Sequence, residues 1–160
     1  MSLNIIVAMT EERVIGDKGK IPWHIKEDLK LFRDLTIGNT VLMGRKTYDS
    51  LDEKYKPLPD RNNVVITRNI KENLDLRVTF YYDLNDGIRI AKSYGKPVFI
   101  AGGASIYRQT LPLVSRLYIS HIKYNIQGDV FFPDVNLNGL KVIEEKDFEK
   151  FIFRVYERIS

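Results

Sequence analysis

The sequence predicts a single α/β domain over residues 1–160, built on a central, mostly parallel, twisted sheet of about eight strands, with an antiparallel C-terminal hairpin and about four flanking helices. Three observations carry this. Short apolar runs alternate with amphipathic segments of helical period through the first two thirds of the chain, as strands joined by crossover helices do. Those runs are apolar along their length, which suits strands covered on both faces. The last third has no helical period, and its two apolar runs flank a charged loop, the pattern of a hairpin. A length of 160 residues fits one domain with a sizeable core, and 44% hydrophobic with 29% charged residues is an ordinary globular composition. No internal repeat, low-complexity stretch or linker interrupts it.

The elements follow in order. Leu3 to Met9 is a short apolar run without a basic start, too short to span a bilayer, and reads as a buried strand rather than a signal peptide. Ile25 to Leu35 reads as a helix. At roughly 100° per residue, Lys26, Glu27, Lys30, Arg33 and Asp34 share one face and Ile25, Leu29, Leu31, Phe32 and Leu35 the other. Asp28 falls inside the apolar arc, between Phe32 and Leu35. A carboxylate placed there faces a core or a lined pocket, and it either shifts its pKa upward or finds donors. It is therefore a candidate catalytic or ligand-binding group, the alternative being a structural residue that reaches a backbone donor.

The strand Thr40 to Met43 ends at Gly44, and the basic turn Arg45-Lys46-Thr47 opens a helix over Lys46 to Leu51. Free N–H groups at such a turn attract anions, and the arginine fork suits phosphate. Asn63 to Thr67 is a strand followed by a second basic turn at Arg68. Val78 to Tyr82 is a strand and Leu84 to Tyr94 a helix. Val98 to Ala101 is a strand that runs into Gly102-Gly103-Ala104-Ser105, where a glycine pair lets a pyrophosphate approach the backbone ahead of a helix over Ala104 to Leu113. Leu117 to Ile122 is a strand, and Lys141 to Glu144 with Phe151 to Arg158 form the hairpin. The G-x-G-x-x-G fingerprint is missing. Phosphate-suited turns at the carboxyl ends of strands predict a large phosphorylated cofactor along one sheet edge.

A net charge of +4 without any long basic run fits an anionic ligand. Surface aromatics interleaved with Arg or Lys are lacking, so no nucleic-acid partner is expected. Cysteine is absent, which removes disulfides and cysteine-based metal sites and fits a reducing cytoplasm. His24 and His121 have no ligand-like spacing, and no metal is expected.

Seven segments occur in a recognisable order: Val14-Ile15-Gly16; Ile21-Pro22-Trp23 with Asp28-Leu29 and Phe32; Met43 to Tyr48; Leu58 to Val65; Gly102 to Tyr107; Leu117 to Ile122; and Gly128 to Pro133. With them the chain resembles the bacterial dihydrofolate reductase family over essentially its whole length. The resemblance implies NADPH-dependent reduction of 7,8-dihydrofolate to tetrahydrofolate in the cytoplasm, by a monomer that also binds antifolate inhibitors. It makes Asp28 the carboxylate that holds the pterin edge and promotes protonation at N5, directly or through water. Ser120 becomes a hydroxyl linking that carboxylate to the ring, and Trp23 a pocket aromatic that holds a water. Ile6, Val7, Leu29, Phe32, Leu51 and Ala101 would line the substrate, and Arg61 would grip its glutamate α-carboxylate. On the cofactor side, Ala8, Ile15, Gly16 and Tyr107 would lie at the nicotinamide. Gly102 and Gly103 would let the pyrophosphate approach the sheet, and Gly44, Ala104, Ser105 and Ile106 would also contact the cofactor. Arg45, Lys46 and Thr47 would take phosphates, with Thr67 and Arg68 at the adenosine 2′-phosphate. The segment Arg13 to Trp23 would be a mobile loop over the nicotinamide. Asp129 matches a position that steadies this loop in some members, or stands as a plain turn residue. Ala101 occupies a position where a larger apolar residue is usual. A pyrimidine reductase of riboflavin synthesis shares the cofactor half of this pattern, but Asp28 and Arg61 belong to folate recognition.

Overall fold

The structure, a computed structural model, describes residues 2–69 and 75–159. Strand β1 (Leu3–Thr10) lies inside an eight-stranded sheet, parallel to β6 (Val98–Ile100) on one side and to β7 (Arg116–Ile122) on the other. Beyond β6 come β3 (Thr40–Gly44), β4 (Asn62–Ile66) and β5 (Val78–Tyr81), all parallel. Beyond β7 the direction reverses. β10 (Phe151–Arg158) pairs antiparallel with it, and β9 (Leu140–Asp147) closes the edge. The predicted class and the hairpin are thus observed. β9 outruns its predicted Lys141–Glu144 because ladder hydrogen bonds to β10 hold the backbone whatever side chains face water.

Two faces are covered. On one, Leu3, Ile5, Val7 and Met9 of β1 join Leu42, Val64 and Ile100 in a core closed by α3 (Leu84–Ser93) and α4 (Ala104–Thr110). On the other, α1 (Lys26–Thr36) and α2 (Arg45–Asp49) cover two smaller clusters, one around Val41, Met43, Tyr48 and Val65, the other around Ile25, Ile122, Phe151 and Phe153. Alternation along β1 therefore sends Ile6 and Ala8 toward α1 and Val7 away from it.

Sequence periodicity missed several short elements, because two or three residues are too few to show a period. β2 (Val14–Gly16) and β8 (Val130–Phe131) form a separate two-stranded ribbon. It is drawn tight by Gly128, where a Cβ would stand 2.4 Å from both the Gly16 carbonyl oxygen and a Val14 methyl. At Gly87 a Cβ would come as close, 2.3 Å from Ile66 Cδ1, but that atom ends a flexible side chain and can move. A backbone oxygen held in a ribbon cannot. Gly128→Ala is expected to destabilise by about 1–3 kcal/mol, as overpacking does, with faster amide exchange confined to residues 13–20 and 128–132. Wild-type exchange in that ribbon would refute the packing argument.

On the face of the sheet away from α1, one hydrogen bond joins two titratable side chains of β7 and β10. His121 Nε2 lies 2.8 Å from the Tyr156 hydroxyl, joining β7 to β10. Burial, and then the charge of Arg154, push the imidazole down to about 4 from its usual 6.5. Between those values the unfolded chain binds a proton that the folded chain refuses, so stability falls as pH drops through this window. The urea midpoint should decline from pH 7 to pH 5, and His121→Gln should flatten part of that slope. An equal slope in the variant would assign the effect to other groups.

Candidate active site

The register that pairs Ala8 with Ser120 places both side chains on the α1 face of the sheet. Ser120, itself buried, donates its hydroxyl to Asp28 Oδ1 at 2.6 Å. Asp28 is centred in the buried arc of α1, one turn from Phe32. Burial raises its carboxyl pKa above the usual 3.8, and the Ser120 hydrogen bond only partly offsets this. The carboxylate meets a side chain from β7 rather than the backbone donor of the structural alternative.

Around this pair, Phe32, Leu51 and Ala101 pack on the cluster of Met43, Tyr48 and Leu58, while Trp23 and Ala8 pack on the cluster of Ile25, Ile122 and Phe153. Two expected lining residues sit differently. Val7 points into the opposite core, so only its backbone is available on this side. Leu29 is 52% exposed, because at roughly 100° per residue it lies past the edge of the buried arc, on the rim.

Arg61 is held at two points. Its Nε donates to the Pro59 carbonyl at 2.8 Å and its Nη1 to the Thr36 hydroxyl at 3.1 Å. Thr36 is fully buried and donates in turn to the Phe32 carbonyl at 2.8 Å. The guanidinium is thereby fixed with donors to spare, on a cleft of about 420 Å³ that Lys54, Lys56 and Arg77 also line. Sequence reasoning gave no role to Thr36.

The glycine pair forms a second centre. Gly102 has φ +122°, and a Cβ there would stand 3.3 Å from Thr47 Oγ1 and 3.5 Å from the Tyr107 hydroxyl oxygen. Only glycine meets both conditions at ease. The Gly44 N–H donates to the Gly102 carbonyl at 2.9 Å, tying the end of β3 to the turn after β6. Tyr107 is buried and donates its hydroxyl to the Ile6 carbonyl at 2.8 Å. Burial drives its phenol pKa upward, so Tyr107 is an anchor and not an acid or base near neutrality. Arg45 pairs with Asp49 at 2.9 Å, and Lys46 is exposed. Beyond the glycines, Thr67, Arg68, Ser105 and Ile106 line a cleft of about 250 Å³ together with Tyr82, Leu84 and Gln109, three residues that sequence reasoning did not single out. No sequence signal marked them: Tyr82 read as the last residue of its strand, and Leu84 and Gln109 as ordinary helix residues.

Ile15 packs on the main core, and Gly16 accepts the Asp129 N–H at 3.0 Å. The Asp129 carboxylate accepts the Lys18 N–H at 3.2 and 3.3 Å. Asp129 is thus more than a turn residue: it clasps the 13–23 loop.

Among the described residues no group of three or more His, Cys, Asp or Glu could hold a metal ion, and no helix is long and apolar enough to cross a membrane. What the arrangement offers is a shielded carboxylate with a hydroxyl beside it, a fixed cationic fork, and a glycine cradle leading to a cleft of mixed polar and apolar lining that includes an arginine. That cradle and cleft fit a long phosphorylated cofactor, because a side chain at Gly102 would close the approach.

Comparison with known proteins agrees with this geometry. The family described as Dihydrofolate reductase matches residues 2–158. A dihydrofolate reductase of Buchnera aphidicola subsp. Acyrthosiphon pisum is 39% identical over 137 residues, 86% of this chain and 82% of its own. One from Staphylococcus haemolyticus is 33% identical over 167 residues, covering 99% and 97% of the two chains. The solved dihydrofolate reductase from Enterococcus faecalis complexed with NADP(H) and RAB-propyl superposes with a TM-score of 0.86 at 30% identity, over 99% of this chain and 97% of that one.

Proposed function

The chain belongs to the dihydrofolate reductase family, and we propose on that footing that its site reduces 7,8-dihydrofolate to 5,6,7,8-tetrahydrofolate with NADPH, Asp28 promoting protonation of the pterin at N5. The observation that carries this reading is the shielded Asp28–Ser120 pair, 2.6 Å apart at the end of β7.

A carboxylate accepts two N–H bonds at once, which matches the amino and ring N–H groups on a pterin edge, and both bonds are charge-assisted. Ser120 keeps one carboxylate oxygen in place and stops the side chain from rotating. Burial raises the carboxyl pKa, so a proton stays within reach of the ring at higher pH than an exposed aspartate would allow. Ile6, Phe32, Leu51 and Ala101 wall the ring and exclude water, with Leu29 at the rim and Trp23 at the mouth. Arg61 receives the glutamate α-carboxylate through the donors that Pro59 and Thr36 leave over.

NADPH, when bound, supplies the hydride. Gly44, Gly102, Gly103 and Ala104 let its pyrophosphate lie against backbone, and Thr47, Lys46 and Arg45 add donors and charge there. Ala8, Ile15 and Gly16 offer backbone groups to the carboxamide. Tyr107, pinned to the Ile6 carbonyl, fixes the distance between the two halves of the site. Asp129 holds the 13–23 loop down over that junction.

The test is direct. The purified chain should consume NADPH, followed by its absorbance, only when dihydrofolate is added. No loss of absorbance in a folded sample would reject the assignment.

A further inference from the structure

Asn63 is a hydrogen-bonded amide in an apolar place. It is the second residue of β4, 3% exposed, and sheet register sets it between Val41 of β3 and Val78 of β5. Alternation puts its side chain on the same face as Val65, which belongs to the cluster of Val41, Met43, Tyr48 and Leu58. A β-branched apolar residue would serve the strand there, and an amide buried at such a point is unfavourable unless its bonds are made. Among the described residues, those bonds all go to loop 58–61, which leads into the strand. Oδ1 accepts the Leu58 N–H at 2.9 Å, and Nδ2 donates to the Leu58 carbonyl at 2.9 Å and to the Arg61 carbonyl at 3.1 Å. Both amide hydrogens are thereby used, one at each end of the loop. Between those ends Asp60 turns the chain at φ +59°, and its carbonyl accepts the Gly38 N–H at 2.8 Å. The Pro59 carbonyl that takes Arg61 Nε also lies between the two residues that Asn63 ties together.

We infer that Asn63 is the positioning residue for Arg61: it presets the backbone from which the guanidinium reaches Thr36, and so sets the affinity for the glutamate end of the substrate. This rests on the reading of Arg61 as the group that receives that carboxylate. The bonds to Pro59 and Thr36 hold the guanidinium only while the Arg61 backbone stays within reach of Thr36, and Asn63 fixes where that backbone lies. Ordering a long cationic side chain in advance removes an entropic cost from binding and leaves the chemistry at the ring untouched.

Steady-state kinetics of the full chain separate this role from plain support of the fold. Asn63→Ala should raise KM for dihydrofolate by about three- to tenfold, the equivalent of ordering one long side chain, with kcat within about twofold of the wild type. A pterin substrate without the glutamate should keep its wild-type KM. In an Arg61→Ala background the same substitution should add no further loss, because the residue it positions is gone. Asn63→Thr keeps one donor and suits a strand, so it should raise KM by about two- to fivefold and carries the test should the alanine variant fail to fold. Wild-type KM in whichever variants fold overturns the inference. So do an equal loss on the truncated substrate, full additivity with Arg61→Ala, or failure of both variants to fold, each of which makes Asn63 a residue of the fold alone. Unchanged KM in Arg61→Ala by itself removes the role given to Arg61 and the inference with it, and leaves the reductase reading standing. Absence of NADPH oxidation by the folded wild type removes that reading itself.

Discussion

Replacing Asp28 with Asn should lower turnover of dihydrofolate at neutral pH by about 10²- to 10⁴-fold, the range expected when a positioned acid–base group is lost, while NADPH binding stays at the wild-type level. The carboxamide keeps the shape of the pocket and still accepts from Ser120, so the loss isolates charge and proton supply. The same variant should be more stable. In the folded chain the Asp28 carboxyl has a pKa above 3.8, so at neutral pH the folded state carries an ionised group that burial penalises. Asn removes that penalty. The gain should be complete above the raised folded value and should vanish as pH falls below the unfolded value of 3.8. In single turnovers, the wild-type rate should fall as pH rises through one ionisation, and that ionisation should be missing from the variant. Near-normal turnover of the variant at pH 7 would remove Asp28 from the chemistry. Unchanged unfolding temperatures would show that its burial is not felt.

Replacing Arg61 with Ala should raise KM for dihydrofolate by about 10- to 150-fold, the equivalent of one charged hydrogen-bonded contact. On the proposed reading the contact is to the glutamate and not to the reacting ring, so it is made equally in ground and transition states and kcat should change much less. A pterin substrate without the glutamate should be handled equally by both proteins, which separates lost recognition from general damage to the loop. Arg61→Lys should recover only part of the affinity, because an ammonium cannot keep the bonds to Pro59 and Thr36 and also present a fork. If the truncated substrate suffered the same loss as dihydrofolate, Arg61 would be a structural residue.

These two residues differ in how far the chain alone discloses them. Asp28 is visible because a helix wheel is a local property: five apolar residues within eleven define the buried direction, and the carboxylate falls at its centre. Arg61 is not visible that way. Nothing in Pro59-Asp60-Arg61-Asn62 separates it from an exposed loop arginine, and only likeness to a family pointed to it. Its fixity comes from Thr36, a buried hydroxyl at the far end of α1. Val7 and Leu29 show the limits of periodicity. In a strand covered on both faces every residue is apolar, so the pattern does not say which side chains meet the pocket. At the border of a helical arc a single leucine can lie on either side of the waterline.

The sequence by itself determined the order and kind of the main elements, the acid in the apolar arc and the glycine and basic turns at strand ends, because each of these depends on neighbours within about one or two turns of chain. Tertiary structure alone decided which face each strand residue serves, that Ser120 meets Asp28, that Thr36 steadies Arg61 and that Tyr82 shares a cleft with Thr67, Arg68 and Ser105. Those contacts join residues from separate elements, and their distances are set by sheet register and helix placement, which no local pattern encodes.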